Sequence, residues 1–456
     1  MSQTLRRVTV AFGSIALVTA MLTTASLASA PRHASTTSVS RGLWTFVRSS
    51  GPPTTADCEA AIQLACYRPA QLQRAYDLRP LYRRGLDGEG STIAIVDSFG
   101  SPTIRHDLRR FDKDFGLPDP PSFKIIHPAG AIPPYDGSSD RIGWAVETSL
   151  DVEWAHSFAP GANILLVETP VSETQGVHGI PQIVKAENYV INHGLADVIT
   201  QSFGTSEQDF PSAAKLMSFR SAYINAKAHG VTVLASSGDE GTTGYTLNSD
   251  LIAGRAPQWP ASDPLVTSVG GTQLHLDAKG NHTAPDNVWN DTFNPNVVGS
   301  TPSPAASGSG RSTVFGRPGY QHGLGSFVGS HRGYPDISLS AAVDGGVLVY
   351  LSIGGLSPGY YIVGGTSEAS PEFSGVVAIS DQAAGHRLGL LNPALYALGW
   401  AHAPGIVDVV SGNNTVQFTD SSGTHKVRGF TAAPGFELAS GLGTVDAAKL
   451  VRELAS

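Results

Sequence analysis

Short apolar segments alternate with amphipathic helical segments over residues 91–271, and no other feature of the sequence restricts the fold as strongly. Strands that are buried on both faces have continuous apolar sequences, and helices between them form the crossovers of a parallel sheet. The sequence therefore predicts an α/β fold with three α/β/α layers and a central, mostly parallel sheet. The predicted strands are 91–96, 163–167, 197–201, 231–235 and 265–269, and the predicted helices are 104–115, 142–157, 180–192 and 213–228.

The second half of the chain has weaker periodicity. Residues 299–312 are rich in Ser, Gly and Pro and predict a surface loop, whereas the apolar segments 347–353 and 360–363 predict strands. Residues 371–384 predict an apolar helix that follows a Gly-Gly-Thr-Ser turn. Because no compositional break follows residue 58, we expect one domain of about 400 residues.

The N-terminus has the layout of a secretory signal. The Arg6-Arg7 pair is followed by a mostly apolar stretch over residues 8–21, and Ala28-Ser29-Ala30 supplies the small residues of a cleavage site. This pattern predicts a signal peptide over residues 1–30 and a secreted, extracellular protein. An uncleaved N-terminal anchor is the alternative.

Two further segments follow the predicted signal. Residues 31–57 are rich in Ser, Thr and Pro and predict a linker or a short leader remnant, and residues 58–456 predict the folded domain. Cys58 and Cys66 are the two cysteines of the chain. In an exported protein a local disulfide is the favoured interpretation, and two free buried thiols are the alternative.

The overall charge restricts the class of partner. Lys and Arg number 30 against 38 Asp and Glu, so the formal net charge is −8. An acidic surface argues against nucleic acid as a partner. No segment after residue 30 is apolar and long enough to span a bilayer, so no membrane contact is expected once the signal is removed.

The segment from Gly364 to Pro371 predicts an exposed hydroxyl. A strand ends there, two glycines permit a sharp turn, and Ser367 lies at the start of a helix, whose N–H groups and dipole stabilise negative charge. Ser367 is thus a candidate nucleophile. A plain helix cap is the alternative, because Ser and Thr are favoured at that position.

A nucleophilic serine needs a base, and the chain lacks a His-Gly-Thr-His run among its 14 His residues. Instead, Glu147 and Asp151 stand four residues apart on one face of the helix predicted over 142–157, with β-carbons about 6 Å apart. Two carboxylates this close titrate as a coupled pair, and one can serve as a general base in acid. A solvated helix face is the alternative.

Asp239 follows the strand predicted over 231–235, at the end of a parallel strand where α/β proteins bind ligands. A carboxylate would repel a developing oxyanion, whereas a protonated carboxylic acid donates a hydrogen bond to it. Asp239 is therefore a candidate oxyanion donor in acid, and an ordinary turn residue is the alternative.

Taken together, these patterns resemble the sedolisin family of serine-carboxyl peptidases, which belongs to the subtilisin-like superfamily. The resemblance covers about residues 67–447 and rests first on Glu147-x-x-x-Asp151, Ser237-Gly238-Asp239 and Gly365-Thr366-Ser367-x-x-x-Pro371. Further similar stretches are WPAS at 259–262, VGGT at 269–272, SGSG at 307–310, Pro318-x-Tyr320-Gln321 and PDIS at 335–338.

The resemblance implies a subtilisin-like fold, an endopeptidase that acts on protein or peptide substrates in acid, and a role for each site residue. Ser367 would attack the scissile carbonyl, Glu147 would accept and return its proton, and Asp151 would orient Glu147. Asp239, protonated, would stabilise the oxyanion. Asp97 ends the first strand and has two open roles, an extension of the carboxyl network or a cap on the following loop.

The resemblance also implies how the substrate is held. Segments 202–204 and 236–238 resemble the two stretches that face each other across the cleft. Substrate side-chain preference is not readable from these residues, and a monomer is the default expectation. Because only about 30 residues separate the predicted cleavage site from Cys58, we expect no long folded prosegment of the kind usual in the family.

The C-terminal region resembles the calcium loop of the family. The implied ligands of a structural Ca²⁺ ion are the carboxylates of Asp408 and Glu437 and the carbonyls of Val409, Ala433 and Gly435. Two positions depart from the pattern, since the family usually has Gly where Ala433 stands and Asp where Glu437 stands.

Three other functions remain open. The first is a catalytically silent relative that binds peptides or calcium. The second is a serine hydrolase on a similar sheet that depends on a histidine. The third is a tripeptidyl-type exopeptidase that uses the same site.

Overall fold

The computed structural model of this protein describes residues 43–48, 50–173 and 176–456. The predicted signal peptide lies outside these residues. The helices are α1 (Thr55–Ile62), α2 (Pro69–Ala75), α3 (Arg79–Tyr82), α4 (Ile104–Phe115), α5 (Ser139–Phe158), α6 (Ile180–Asn192), α7 (Ala213–Ser218), α8 (Ser221–His229), α9 (Pro295–Val298), α10 (Gly325–Val328), α11 (Thr366–Ala384), α12 (Asn392–Trp400) and α13 (Ala447–Leu454).

The strands are β1 (Trp44–Arg48), β2 (Cys66–Tyr67), β3 (Thr92–Ser98), β4 (Phe123–Ile126), β5 (Asn163–Thr169), β6 (Val198–Gln201), β7 (Thr205–Ser206), β8 (Thr232–Ser236), β9 (Gln258–Trp259), β10 (Thr267–Gln273), β11 (Asn287–Val288), β12 (Gly310–Gly316), β13 (His331–Tyr334), β14 (Ile337–Ser340), β15 (Gly346–Leu351), β16 (Gly359–Val363), β17 (Ile406–Val407), β18 (Val416–Asp420), β19 (Gly423–Val427) and β20 (Thr444–Val445).

The central sheet is mostly parallel, as the alternation of strands and helices predicts. Its strand order is β11-β10-β8-β6-β3-β5-β4, and β14 also pairs with β10. Only the β10–β11 pair is antiparallel. The predicted α/β/α fold class is therefore confirmed.

The two faces of this sheet have separate cores. Ile93 and Ile95 of β3 point towards α5 and α11, whereas Ala94 and Val96 of the same strand point towards α6 and α8. Because both faces are covered, β3 has no polar face, which explains its continuous apolar sequence. The helices α5 and α11 are buried along almost their whole length.

A second sheet covers the outer side of α5. Its strand order is β1-β16-β15-β2, and the Trp154 indole N–H on α5 donates to the Leu348 carbonyl of β15 at 3.1 Å. The segments predicted as strands at 347–353 and 360–363 form β15 and β16, which pair antiparallel. The sequence analysis did not assign these strands to a sheet of their own.

The N-terminal segment joins this second sheet. The sequence predicts a linker over residues 31–57, but Trp44–Arg48 pairs antiparallel with β16, with a register shift between Phe46 and Arg48. Trp44 and Phe46 both make edge contacts with the Tyr361 ring, so this stretch has apolar partners that hold it in place. The described part of the segment therefore belongs to the folded unit.

The predicted disulfide between Cys58 and Cys66 is present, with 6.0 Å between the two Cα atoms. It ties α1 to β2, an edge strand of the second sheet. Within the described residues no helix has both the length and the apolar character needed to cross a bilayer.

The helix predicted over 142–157 is slightly longer than expected, since α5 spans Ser139–Phe158, and two other predicted helices differ more from those observed. The helix predicted over 213–228 is divided into α7 and α8, and Arg220 at the junction forms a paired hydrogen bond with Asp263 at 2.5 and 2.8 Å. The helix predicted to begin at Pro371 begins instead at Thr366. Proline is favoured in a first turn, but here it lies one and a half turns inside the helix.

A pair of buried carboxyl groups belongs to the first two turns of α11. Glu368 and Glu372 are fully buried, stand four residues apart on the helix, and have no hydrogen-bond partner by geometry for any of their four oxygens within the described residues. Burial raises the pKa of both groups well above the ordinary value, and Glu368 raises the pKa of Glu372 further.

This pair predicts a fold that is most stable in acid. A carboxyl whose folded-state pKa is raised stays protonated in the folded protein after it has ionised in the unfolded chain. Its contribution to stability is complete below the unfolded pKa and falls as the pH rises towards the folded pKa.

We expect Glu368→Gln/Glu372→Gln to raise the free energy of unfolding at about pH 8 by about 1 kcal/mol or more, and to change it little at about pH 4. Urea unfolding at the two pH values measures the effect. The exposed Glu59→Gln variant is the control for the loss of a carboxylate. An equal change at both pH values would contradict the expectation.

Candidate active site

Polar side chains from neighbouring strands form one row at the carboxyl ends of the central sheet. Asp97 and Glu168 are register partners at the ends of β3 and β5, on the face that carries α5 and α11. The register of β3 with β6 (Ile95 beside Thr200) places Ser202 next in the row. Carboxyl ends of parallel strands are the usual place for a site in α/β proteins.

The nucleophile candidate lies at the start of α11, opposite this row. Gly365 precedes the helix with φ 110°, and a Cβ added there would be 2.9 Å from Asp239 Oδ2. Only glycine fits that position at little cost. Ser367 follows as the second residue of the helix and is 5% exposed.

Asp239 is held directly against this turn. Its Oδ1 accepts hydrogen bonds from the Thr366 main-chain N–H at 2.6 Å and from the Thr366 hydroxyl at 2.9 Å. The candidate oxyanion residue therefore lies beside the residue that precedes Ser367.

Pro371 has a specific effect on Ser367. In a regular helix the N–H of residue 371 would donate to the carbonyl of residue 367, but proline has no N–H. The Ser367 carbonyl instead accepts from the Ser202 hydroxyl at 3.4 Å. The proline inside α11 thus frees an acceptor next to the nucleophile candidate.

Ser202 also connects to the acidic pair. Its hydroxyl lies 2.9 Å from Asp151 Oδ1. A hydroxyl has a single hydrogen, so the two contacts can form together only if a protonated Asp151 donates to Ser202 and Ser202 donates to Ser367. Sequence reasoning placed Ser202 in a substrate-binding segment and missed this bridge.

Glu147 and Asp151 project from α5 into this region and are almost completely buried. Burial raises the pKa of Glu147 well above its ordinary value, Asp97 and Asp239 raise it further, and interaction with the Ser367 side chain opposes the rise. Burial also raises the pKa of Asp151, with added contributions from Asp97 and Glu147. These two residues therefore face the interior, and the alternative of a solvated helix face does not apply.

Asp97 belongs to the same acidic group. Both of its oxygens are buried without a hydrogen-bond partner by geometry within the described residues. Burial raises the pKa of Asp97 to about 7, the Thr148 hydroxyl opposes this, and Glu168 adds to it. Of the two roles left open for Asp97, this placement favours the extension of the carboxyl network.

Glu240 and Gln258 also border the site, and sequence reasoning did not single them out. Burial and Asp239 together raise the pKa of Glu240 to about 8, and the Gln258 amide donates to Glu240 at 3.1 Å. A Cβ added at Gly204 or Gly238 would lie 2.9 or 3.0 Å from the Gln258 amide group. Gln258 therefore lies between the two segments that resemble the walls of a substrate cleft.

The residues predicted to form the calcium loop lie near the C-terminus, and two of their carboxylates accept main-chain hydrogen bonds. Asp408 Oδ2 accepts from the Gly435 main-chain N–H at 2.8 Å, and Glu437 Oε1 accepts from the Ser440 N–H at 2.9 Å. Glu437 Oε2 is buried without a hydrogen-bond partner by geometry in the described part of the chain. Burial raises the pKa of Glu437 to about 7, and Asp408 contributes to the rise.

These residues offer the oxygen ligands that Ca²⁺ prefers, but only two of them carry a carboxylate charge. The described residues contain no group of three or more His, Cys, Asp or Glu side chains that could hold a metal ion. Two carboxylates with neighbouring carbonyls remain a suitable donor set for Ca²⁺, which prefers oxygen ligands. A bound ion would give Glu437 Oε2 the partner that it lacks.

Residues 143–394 match the family model described as Peptidase_S8: Subtilase family. Kumamolisin of Bacillus sp. (strain MN-32) is 28% identical over 395 residues, which cover 85% of this chain and 63% of kumamolisin. Tripeptidyl-peptidase 1 of Rattus norvegicus is 29% identical over 340 residues, which cover 70% of this chain and 53% of that protein. The chain thus spans less than two thirds of the length of these curated relatives.

A solved structure resembles most of the described fold. Pseudomonas sedolisin, a serine-carboxyl proteinase complexed with two molecules of pseudo-iodotyrostatin, aligns with a TM-score of 0.69 and 28% sequence identity. The alignment covers 85% of this chain and 98% of that one.

The Ser202 bridge predicts a measurable loss of stability. We expect Ser202→Ala to lower the free energy of unfolding by about 1–3 kcal/mol, because it leaves the Asp151 carboxyl and the Ser367 carbonyl buried without their hydrogen-bond partner. Urea unfolding at about pH 4 measures this, and Ser422→Ala on the surface is the matched control. A Ser202→Ala protein as stable as the control would show that the bridge contributes nothing.

Proposed function

This chain belongs to the sedolisin family within the subtilisin-like superfamily, and we propose that it is a secreted serine-carboxyl endopeptidase that hydrolyses peptide bonds at acid pH. The observation that carries the proposal is the interaction of the Ser367 side chain with the buried Glu147 carboxyl, beside Asp151 and opposite Asp239. A serine next to a carboxyl base, with a second acid in position to donate, suits acyl transfer in acid.

The first half of the proposed reaction forms an acyl-enzyme. The Ser367 hydroxyl oxygen attacks the scissile carbonyl carbon while Glu147 takes the hydroxyl proton. The carbonyl oxygen becomes an oxyanion, which accepts hydrogen bonds from protonated Asp239 and from the Ser367 main-chain N–H. Glu147 then delivers the proton to the leaving nitrogen as the C–N bond breaks, which releases the amine product.

The second half repeats these steps with water. Glu147 takes a proton from the attacking water, a second oxyanion forms, and the bond to Ser367 breaks as Glu147 returns the proton to the Ser367 oxygen. Asp151 remains protonated and orients Glu147 throughout. Release of the carboxylic acid product leaves Ser367 with a free hydroxyl, which is the starting state of the enzyme.

The proposed acid optimum follows from the way the carboxyl groups influence one another. Burial raises the pKa of Glu147, the Ser367 side chain opposes this rise, and Asp97 and Asp239 add to it only while they are ionised. In acid these two groups hold their protons and their contribution disappears, so Glu147 loses its proton to act as base more readily than it would beside ionised neighbours. Asp239 needs its proton to donate to the oxyanion. Activity should therefore fall both in strong acid and towards neutral pH.

Replacement of the nucleophile tests the proposal. We expect Ser367→Ala to lower cleavage of a denatured protein by at least about 10⁴-fold across the acid range, because no other group supplies the attacking oxygen. A pH–rate profile measured beside the surface variant Ser422→Ala gives the comparison. If Ser367→Ala retained full activity, or if a His-dependent optimum near neutral pH were found, the proposed mechanism would be wrong.

A tripeptidyl-type exopeptidase is the second candidate, because a relative of similar identity is named tripeptidyl-peptidase 1. The same site would perform the same chemistry, and closure of the cleft would decide where the substrate is cut. Mass spectrometry of products from the denatured protein separates the two. Large internal fragments support the endopeptidase, and successive tripeptides support the exopeptidase.

A structural calcium ion is a further part of the proposal. The carboxylates of Asp408 and Glu437 would hold it, with the carbonyls of Val409, Ala433 and Gly435. When bound, the ion would supply positive charge that links residues 408–409 to residues 433–437. No step of the reaction depends on it.

Removal of calcium should lower stability. We expect a chelator to reduce the unfolding temperature at about pH 7, and Glu437→Gln to abolish the difference between calcium and chelator. The benefit of calcium should diminish in acid, because burial raises the pKa of Glu437 to about 7 and a protonated carboxyl is a poor ligand. Scanning fluorimetry measures this, with Glu59→Gln as control. An unfolding temperature unaffected by calcium would argue against the site.

A further inference from the structure

A carboxyl–imidazole pair extends the acidic group of the site towards solvent. Glu168 ends β5, and its Oε2 lies 2.7 Å from His127 Nε2. The Glu168 side chain is 9% exposed and that of His127 is 44% exposed. The register of β4 with β5 (Ile125 beside Leu166) places His127, just beyond β4, beside Glu168. The order across the sheet is therefore His127, Glu168, Asp97 and Ser202.

The position of Glu168 is closely defined by its neighbours. The loop after β3 passes so near that a Cβ added at Gly100 would be 1.8 Å from Glu168 Oε1. Gly100 has φ +71°, a conformation suited to glycine. Glu168 therefore packs under the loop that follows Asp97, on the same face of the sheet as Asp97.

Four charged or titratable groups face Glu168. His127 lies beyond β4, Arg141 is on α5, Arg105 is on α4, and Asp97 is on β3. The three basic groups favour the ionised form of Glu168, although burial raises its pKa above the ordinary value. Asp97 has no basic partner and no hydrogen-bond partner by geometry in the described part of the chain. Of the two adjacent carboxyls, Glu168 is therefore the one whose ionised form has basic partners.

We propose that Glu168, supported by His127, is a positioning residue that keeps the negative charge of the acidic group on Glu147, away from Asp97. Once Glu168 is ionised, a second negative charge on its register neighbour Asp97 is unfavourable. Glu147 lies outside this row, on α5, where it interacts with the Ser367 side chain. A proton retained on Asp97 leaves Glu147 free to act as base. The inference rests on the proposed function, because it assigns the charge to the proposed base.

The effect should depend on pH in one direction. In strong acid Glu168 is protonated and has no influence. As the pH rises and Glu168 ionises, it delays the ionisation of Asp97, and in this way it extends activity towards higher pH. Loss of the Glu168 charge should thus move only the high-pH limb of the activity profile, and it should move it to lower pH.

Kinetics of charge-neutral variants test this. We expect Glu168→Gln to leave kcat and KM unchanged in strong acid and to lower kcat about threefold to tenfold on the high-pH limb, with KM unchanged, as a pKa change of up to about one unit implies. Glu168→Asp keeps a carboxylate and should retain most of the wild-type limb. Glu89→Gln removes an exposed carboxylate and is the matched control.

The partner residue gives a second comparison. His127→Gln removes the imidazole partner that favours ionised Glu168, so it should shift the limb in the same direction and by a smaller amount. In His127→Gln/Glu168→Gln the shift should equal that of Glu168→Gln alone, since His127 acts through Glu168. A profile of Glu168→Gln that superimposes on the wild type would overturn the proposal. So would an equal loss at every pH that Glu168→Asp does not restore, because that pattern indicates a purely structural role.

A measurement without turnover separates this inference from the proposed function. In the Ser367→Ala background, infrared titration of the carboxyl C=O stretch reports protonation of the buried group directly. Glu168→Gln should move one buried carboxyl transition to lower pH, because the charge beside Asp97 is gone. An unchanged titration rejects the role of Glu168 whether or not the protein is a peptidase. Absence of Ser367-dependent cleavage in the wild type, in contrast, rejects the proposed function.

Discussion

The close approach of α5 and α11 decides what the interior of this protein can do. A Cβ added at Gly375 on α11 would be 2.5 Å from the Phe158 Cβ on α5, so the two helices touch without an intervening side chain. Their contact places Glu147 beside the Ser367 side chain and leaves both residues almost completely buried. Neither helix alone forms a site, because one carries the carboxyls and the other carries the hydroxyl.

This arrangement buries many carboxyl groups, which is unfavourable while those groups are ionised. Asp97, Asp151, Glu368 and Glu372 are all fully buried and have raised pKa values, chiefly because of burial. Protonation removes the desolvation cost and the mutual repulsion at once, and it also supplies hydrogen-bond donors. Stability and the proposed chemistry therefore favour the same condition, an acidic medium.

Sequence patterns predicted the elements whose signals are local. The helices over 104–115 and 180–192 have the predicted bounds, because amphipathic periodicity and a terminal glycine or histidine mark both ends. The start of α11 was wrong, since Pro371 imitates a first-turn proline although it lies inside the helix. Glu168 and His127 were missed because their contact joins two strands, and only the pairing register shows that they meet.

The N-terminal strand closes an edge that would otherwise be open beside the nucleophile. Pairing of β1 with β16 continues to the Leu43 carbonyl, which accepts from the Gly364 N–H at 2.9 Å, three residues before Ser367. An unpaired β16 would offer extended peptides a place to add as a further strand, in competition with the cleft. The register shift between Phe46 and Arg48 interrupts the regular hydrogen-bonding pattern of β1, so the outer edge of β1 is a poor place for another strand to pair. Pairing with β1 in this way keeps extended peptides from adding to β16.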